Sequence, residues 1–230
     1  MPGDRRAPDP NRAGHRERLK ARFRKGGADA LADYELLELV LFQALPRRDT
    51  RAIAKALLKK FGSFAAVVDA PDEHLKDVEG VKDGAITGLR VVRAAAVHLL
   101  RSELAGRPVL GSWQKVLDYL KADMAWRHEE HVRVLYLNQK NVLIADEADR
   151  GTVNQASVYP REVARRALEL RAAAVILAHN HPSGDPTPSA ADIELTRAVR
   201  DALKAVEVAL HDHVVVAREG VTSLRGLGKI

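Results

Sequence analysis

Hydrophobic positions recur with two different periods along this chain. Up to about residue 104 they return at three- and four-residue intervals, the spacing of amphipathic helices. Arg16 to Lys25 places charges around Leu19 and Phe23 and predicts a short helix with one apolar stripe. Asp33 is a candidate N-cap for a second, with Leu36, Leu37, Val40 and Leu41 inward and an end near Leu45, because Pro46 cannot continue it. Asp49 or Thr50 caps a third, which buries Ile53, Leu57, Leu58 and Phe61 and stops at Gly62. Ser63 and Pro71 open two shorter helices, and a last one covers about 85–103, before the linker-like Ala105-Gly106-Arg107-Pro108. Residues 1–14 are polar and aperiodic, and are expected to be disordered.

Beyond the linker the period alternates. Ser112 caps a helix through Ala125, then Val132–Leu137 and Val142–Ala145 form a hairpin about the turn 138–141. A helix from Pro160 follows, then an apolar strand from Ala172 to Leu177, a helix over 190–205, and closing strands at 206–216 and 221–224. Strands alternating with helices predict an α/β domain, a mixed sheet flanked by helices, preceded by a small all-α domain. The expected division is a tail at 1–14, a helical domain at 15–104, a linker at 105–110 and the sheet domain at 111–230.

Composition narrows the chemistry. The chain has 230 residues and no cysteine, which excludes disulfides and thiolate metal sites and leaves His and carboxylate as ligands. No apolar run approaches the ~20 residues of a membrane span, and the N-terminus lacks the apolar core of a secretory signal. A cytoplasmic location with no membrane contact is therefore expected. The net charge of +6 is confined to one half: residues 1–108 hold 21 Lys+Arg against 15 Asp+Glu, and residues 109–230 hold 16 of each. DNA or another polyanion is a candidate partner of the first half alone.

The stretch from Ala178 to Asp192 carries the strongest chemical signal. His179 and His181 stand two apart at the end of a strand, so both imidazoles share one face. Asp192 falls in the first turn of the next helix, within reach of the same point. Two imidazoles and one carboxylate form the three-ligand set of a catalytic zinc, with the fourth position left for water. The competing reading is structural, since Ser189-Ala190-Ala191-Asp192 also fits a capping box. A second H-x-H, His211-Asp212-His213, lacks a third ligand at a useful spacing and reads as structural or as support for a ligand imidazole. His128 and His131 suit surface or hydrogen-bonding roles, and Arg161-Glu162 suits capping.

The wording His-Asn-His-Pro-Ser-Gly-Asp-Pro-Thr-Pro-Ser, with Asp192 three further on, resembles the RadC-like branch of the JAMM (MPN+) zinc metalloprotease superfamily. The resemblance implies an MPN/JAB-like fold, one Zn²⁺ per chain on His179, His181 and Asp192, and hydrolysis of a peptide or isopeptide bond in a protein or peptide substrate. It further implies a general-base Glu just before a strand. Glu130, ahead of Val132-Arg133-Val134-Leu135-Tyr136-Leu137, matches that context, with Glu129 as its neighbour and competitor. Ser189 matches the Ser that hydrogen-bonds the tetrahedral intermediate. Upstream, Val78-Glu79-Gly80-Val81-Lys82-Asp83-Gly84 resembles a helix-hairpin-helix, in which Gly80, Lys82 and Gly84 would face a phosphate. Lys82 stands where that family has its second Gly, and a purely structural αα-hairpin is the favoured reading. The alternative for the whole chain is a non-enzymatic, DNA-associated repair or adaptor protein whose metal site is idle or structural.

Overall fold

The computed structural model describes residues 10–46, 48–150 and 159–230. They fall into two units, Met1–Ala95 and Ala96–Ile230.

The first unit is helical. It contains α1 (Pro10–Gly26), α2 (Asp33–Ala44), α3 (Thr50–Phe61), α4 (Phe64–Asp69), α5 (Asp72–Lys76) and the first part of α6 (Asp83–Ser102). Leu37, Leu41, Ile53, Leu57, Val67, Leu75 and Leu89 form its core. Three local start and stop signals act as read: Asp49 accepts from Arg51 N at 3.0 Å, Ser63 Oγ from Ala66 N at 3.1 Å, and Gly62 ends α3 at φ 89°. Asp33 does not cap α2: it is the first helical residue, Ala32 is the N-cap, and Glu35 accepts from Ala32 N at 3.1 Å. Helix α1 departs from expectation. It begins at Pro10, inside the stretch expected to be disordered, since proline is well suited to a first helical turn. Of its predicted stripe only Leu19 is buried, while Phe23 is 41% exposed. Polar contacts hold it instead: Arg16 donates to Leu45 O at 2.7 Å and Arg22 to Glu35 Oε1 at 2.7 Å.

The second unit is built on a five-stranded mixed sheet in the order β2-β1-β3-β4-β5. Its strands are β1 (His131–Leu137), β2 (Leu143–Arg150), β3 (Ala174–Asn180), β4 (Ala209–Val216) and β5 (Val221–Ser223). Strands β3 and β4 are parallel and joined through α9 (Ala190–Lys204), and the other neighbouring pairs are antiparallel. Helix α7 (Trp113–Met124) belongs to one face, with Leu135, Leu137, Ile176, Ala178, Val214 and Val216. The opposite face carries Val134, Tyr136, Val175 and Leu177 against α8 (Pro160–Glu169) and α9. This is the expected helix-flanked mixed sheet, and every residue of β3 is buried between the two layers.

Several boundaries differ from the expected ones: β3 runs on to Asn180 and β4 starts only at Ala209. Strand β2 runs on past the arm at 142–145 to Arg150, although 146–150 carries mostly charged residues. Asp146 and Glu147 are paired: Tyr119 OH donates to Asp146 Oδ2 at 2.5 Å, Arg133 pairs with Asp146, and Arg166 Nε donates to Glu147 Oε1 at 2.8 Å. A charged residue can join a half-buried strand once a partner offsets its desolvation. The linker-like stretch 105–110 is also packed at its end, where Val109 is fully buried and its N–H donates to Asn141 O at 2.9 Å. Among the described residues, no helix is long and apolar enough to cross a membrane.

Candidate metal centre

Alternation along β3 decides which side chains meet. Ala174, Ile176 and Ala178 face α7, so Val175, Leu177 and His179 face α9. His181, one residue past the strand end, keeps the same side, and its N–H donates to Val216 O at 2.9 Å. Asn180 points the opposite way.

Helix α9 brings the carboxylate. Ser189 is its N-cap, and Asp192 N donates to Ser189 Oγ at 3.2 Å. In return, Asp192 Oδ2 accepts from Ser189 N and from Ser189 Oγ, each at 2.7 Å. The capping box and the ligand set are therefore one arrangement: the cap turns Asp192 back over the helix end toward the histidines. Asp192 Oδ1 lies 3.2 Å from His179 Nε2, Asp192 Oδ2 lies 3.4 Å from His181 Nε2, and the two Nε2 atoms are 3.0 Å apart. Burial works against the ionised carboxyl of Asp192. With His179 protonated, its hydrogen bond and charge interaction, together with the bonds from Ser189, outweigh that and hold it well below the usual carboxylate range.

This donor set fits a cation. His181 Nδ1 lies 2.9 Å from Asp185 O, and a carbonyl can only accept. Nδ1 must then carry the proton, which leaves the Nε2 lone pair directed at His179 Nε2 and Asp192. Electron-rich atoms at these distances repel unless a proton or a cation lies among them. His179, His181 and Asp192 offer ligand atoms all within 4.8 Å of one another. Neutral imidazole and carboxylate without thiolate are a donor set that zinc accepts. The model of the RadC-like JAB domain family matches residues 110–229. The chain belongs to that family.

In this RadC-like JAB domain the remaining candidates divide by location. Glu130 lies two residues ahead of Val132, which stands opposite His179 where the antiparallel β1–β3 ladder ends. The chain there is pinned by Asn180, whose Oδ1 accepts from His131 N at 2.9 Å and whose Nδ2 donates to Glu129 O at 3.0 Å. Glu130 itself is exposed, as is Glu129, whose carboxylate lies 3.9 Å from His131. His213 is buried behind His179, with its Nε2 2.8 Å from His179 Nδ1, and burial pushes its imidazole down to about 3. His211 stands apart, 2.6 Å from Asn141 Oδ1, and burial followed by the nearby Arg225 lowers its pKa. Arg161 is exposed over the ring of Tyr159.

The hairpin residues Gly80, Lys82 and Gly84 belong to the other unit. Gly80 has φ 90°, and a Cβ there would come within 2.8 Å of Ile53 Cδ1, so the turn demands glycine for conformation and for packing. Lys82 is exposed, and Lys82 O accepts from Ala85 N at 2.8 Å to start α6.

Three contributors escaped sequence reasoning. Asn180 sits between the two histidines, so alternation assigns it to the opposite face, but its partners are distant in sequence. Thr196 is one helical turn beyond Asp192, a spacing that only becomes meaningful once His213 is seen to touch it. Arg218 donates to Ser183 O at 2.9 Å and to Pro182 O at 3.2 Å, bracing the loop in which Gly184 adopts φ 101°.

Proposed function

We propose that this chain is a zinc-dependent hydrolase of peptide or isopeptide bonds in a protein or peptide substrate, with one Zn²⁺ held by His179, His181 and Asp192. The observation that carries this reading is the convergence of two Nε2 atoms and the two oxygens of one carboxylate at 3.0–3.4 Å, at a strand end and a helix start. Zinc in a three-ligand protein set supplies a water acidified to a pKa of about 7 and polarises a carbonyl. The protein's own groups do the rest. Glu130 takes up a proton from the water, and its place two residues ahead of the residue that pairs with His179 supports that assignment. Ser189 orients the Asp192 carboxylate, and donates to a substrate oxygen when its hydroxyl turns away from Asp192. The absence of cysteine accords with action in the cytoplasm.

The test begins with metal. Purified protein should contain close to one zinc per chain by atomic emission, and a chelator should abolish any hydrolysis. In cells, the Glu130→Gln variant should accumulate trapped partners whose bonds the wild type cleaves. Protein that carries no zinc and takes none up from solution would remove the reading.

The basic excess of residues 1–108 supports a second reading for that half, contact with DNA in a repair or adaptor role. Binding of the full chain to duplex DNA should then weaken steeply with salt. No binding at low salt would exclude it.

A further inference from the structure

Behind the ligands runs a chain of hydrogen bonds whose direction can be worked out atom by atom. Thr196 Oγ1 lies 2.5 Å from Asp192 O and 2.5 Å from His213 Nδ1. The carbonyl can only accept, so the Thr196 hydroxyl proton is spent on it. The Thr196 oxygen must then accept from His213, which places the His213 proton on Nδ1 and leaves its Nε2 as a lone pair. That lone pair is 2.8 Å from His179 Nδ1, so Nδ1 of His179 is the donor. With its proton there, neutral His179 presents a bare Nε2 to Asp192 and His181. The result is a continuous run of hydrogen bonds from the Asp192 backbone through Thr196 and His213 to His179, whose bare Nε2 faces the Asp192 carboxylate 3.2 Å away. Thr196 is fully buried, and His213 and His179 are 1% and 2% exposed, so water has little access to replace a link.

We propose that Thr196 and His213 are positioning residues that fix His179 as the Nδ1–H tautomer and so aim its Nε2 at the metal. The inference rests on the metal reading above and adds to it a direction for every proton behind the site. Partners of this kind change metal affinity by roughly 10–100-fold when lost. A threonine is needed because one atom must donate and accept at once. Valine has the same shape and can do neither, whereas serine keeps the hydroxyl.

Two measurements on the full-length protein test the relay without an activity assay. In the zinc-loaded, ¹⁵N-labelled wild type, His213 should show the Nδ1–H tautomer in long-range ¹H–¹⁵N correlations. Zinc competition against a chromophoric chelator should show Thr196→Val weakened by about 10-fold or more, with Thr196→Ser close to wild type. His213 as the Nε2–H tautomer, or Thr196→Val binding zinc as tightly as wild type, would overturn the relay while leaving the metal site standing. Wild type that binds no zinc would sink both. Should Thr196→Val fail to fold, the wild-type tautomer and the affinity of Thr196→Ser still decide, because a serine variant weakened as much as a lost link requires contradicts the role of the hydroxyl.

Discussion

Two H-x-H pairs stand on or at the end of neighbouring parallel strands, and only one brings its imidazoles together. On β3 the alternation is unbroken up to His179, and His181 meets it on the same side. On β4 the register passes from Leu210, opposite Val175, directly to Asp212, opposite Ile176. His211 is the extra residue of a bulge. In consequence Leu210 and His213, three apart, both pack toward α9, and His211 is turned aside to Asn141. Identical spacing thus gives a metal-facing pair in one strand and a split pair in the next. A period-two argument holds only while the ladder does.

The largest expected effect tests that contrast directly. His179→Ala should lose most of the bound zinc, and His211→Ala should keep it, both read by atomic emission on purified protein. Equal loss from the two would mean that the bulge does not separate their roles.

Next in size is the assignment of the base. Glu130→Gln should lower hydrolysis by ~10²–10⁴-fold with zinc content unchanged, while Glu129→Gln should stay near wild type. A Glu130→Gln protein stripped of zinc, or an inactive Glu129→Gln, would show that the base has been assigned to the wrong residue.

Asn180 sharpens the comparison from the opposite face of β3. It is fully buried and bonded to both Glu129 O and His131 N. Asn180→Ala should cost about 1–3 kcal/mol of stability from the polar groups it strands, measured by chemical denaturation. Zinc content should hold, because the side chain points away from the ligands. Zinc lost together with stability would argue that the two faces of the strand are not independent.

The smallest effect concerns the third spacing motif, the Gly80-Lys82-Gly84 hairpin. If it meets phosphate, Lys82→Ala should reduce the salt slope of DNA binding by about 1. An unchanged slope would leave the hairpin as a packing device, the role that the contact of Gly80 with Ile53 already supports.

Much of this molecule was legible before its structure. Helix boundaries around Asp49, Gly62, Ser63 and Pro160 followed from groups that act on their own neighbours, and such signals do not depend on the rest of the fold. The triad of His179, His181 and Asp192 was legible because strand alternation and a helix cap are both local. Less legible were α1, whose anchors are Arg16 and Arg22 reaching across to α2, and the charged end of β2. A run such as Asp146-Glu147 resembles a loop until Arg133 and Arg166 arrive from elsewhere.

The amino-acid order by itself determined most of the elements, the two imidazoles on one face and the carboxylate that caps α9, because each depends on contacts a few residues long. Tertiary structure alone decided the rest. It put β1 beside β3, so that Val132 comes opposite His179, and it tied Asn180 of β3 to the chain just ahead of β1. It bulged β4 at His211, which sends His213 to His179. The reason is physical: a hydrogen bond between residues 34 apart, as between His179 and His213, has no local period to announce it. It exists only once the sheet has paired and the chain entropy between its ends has been overcome.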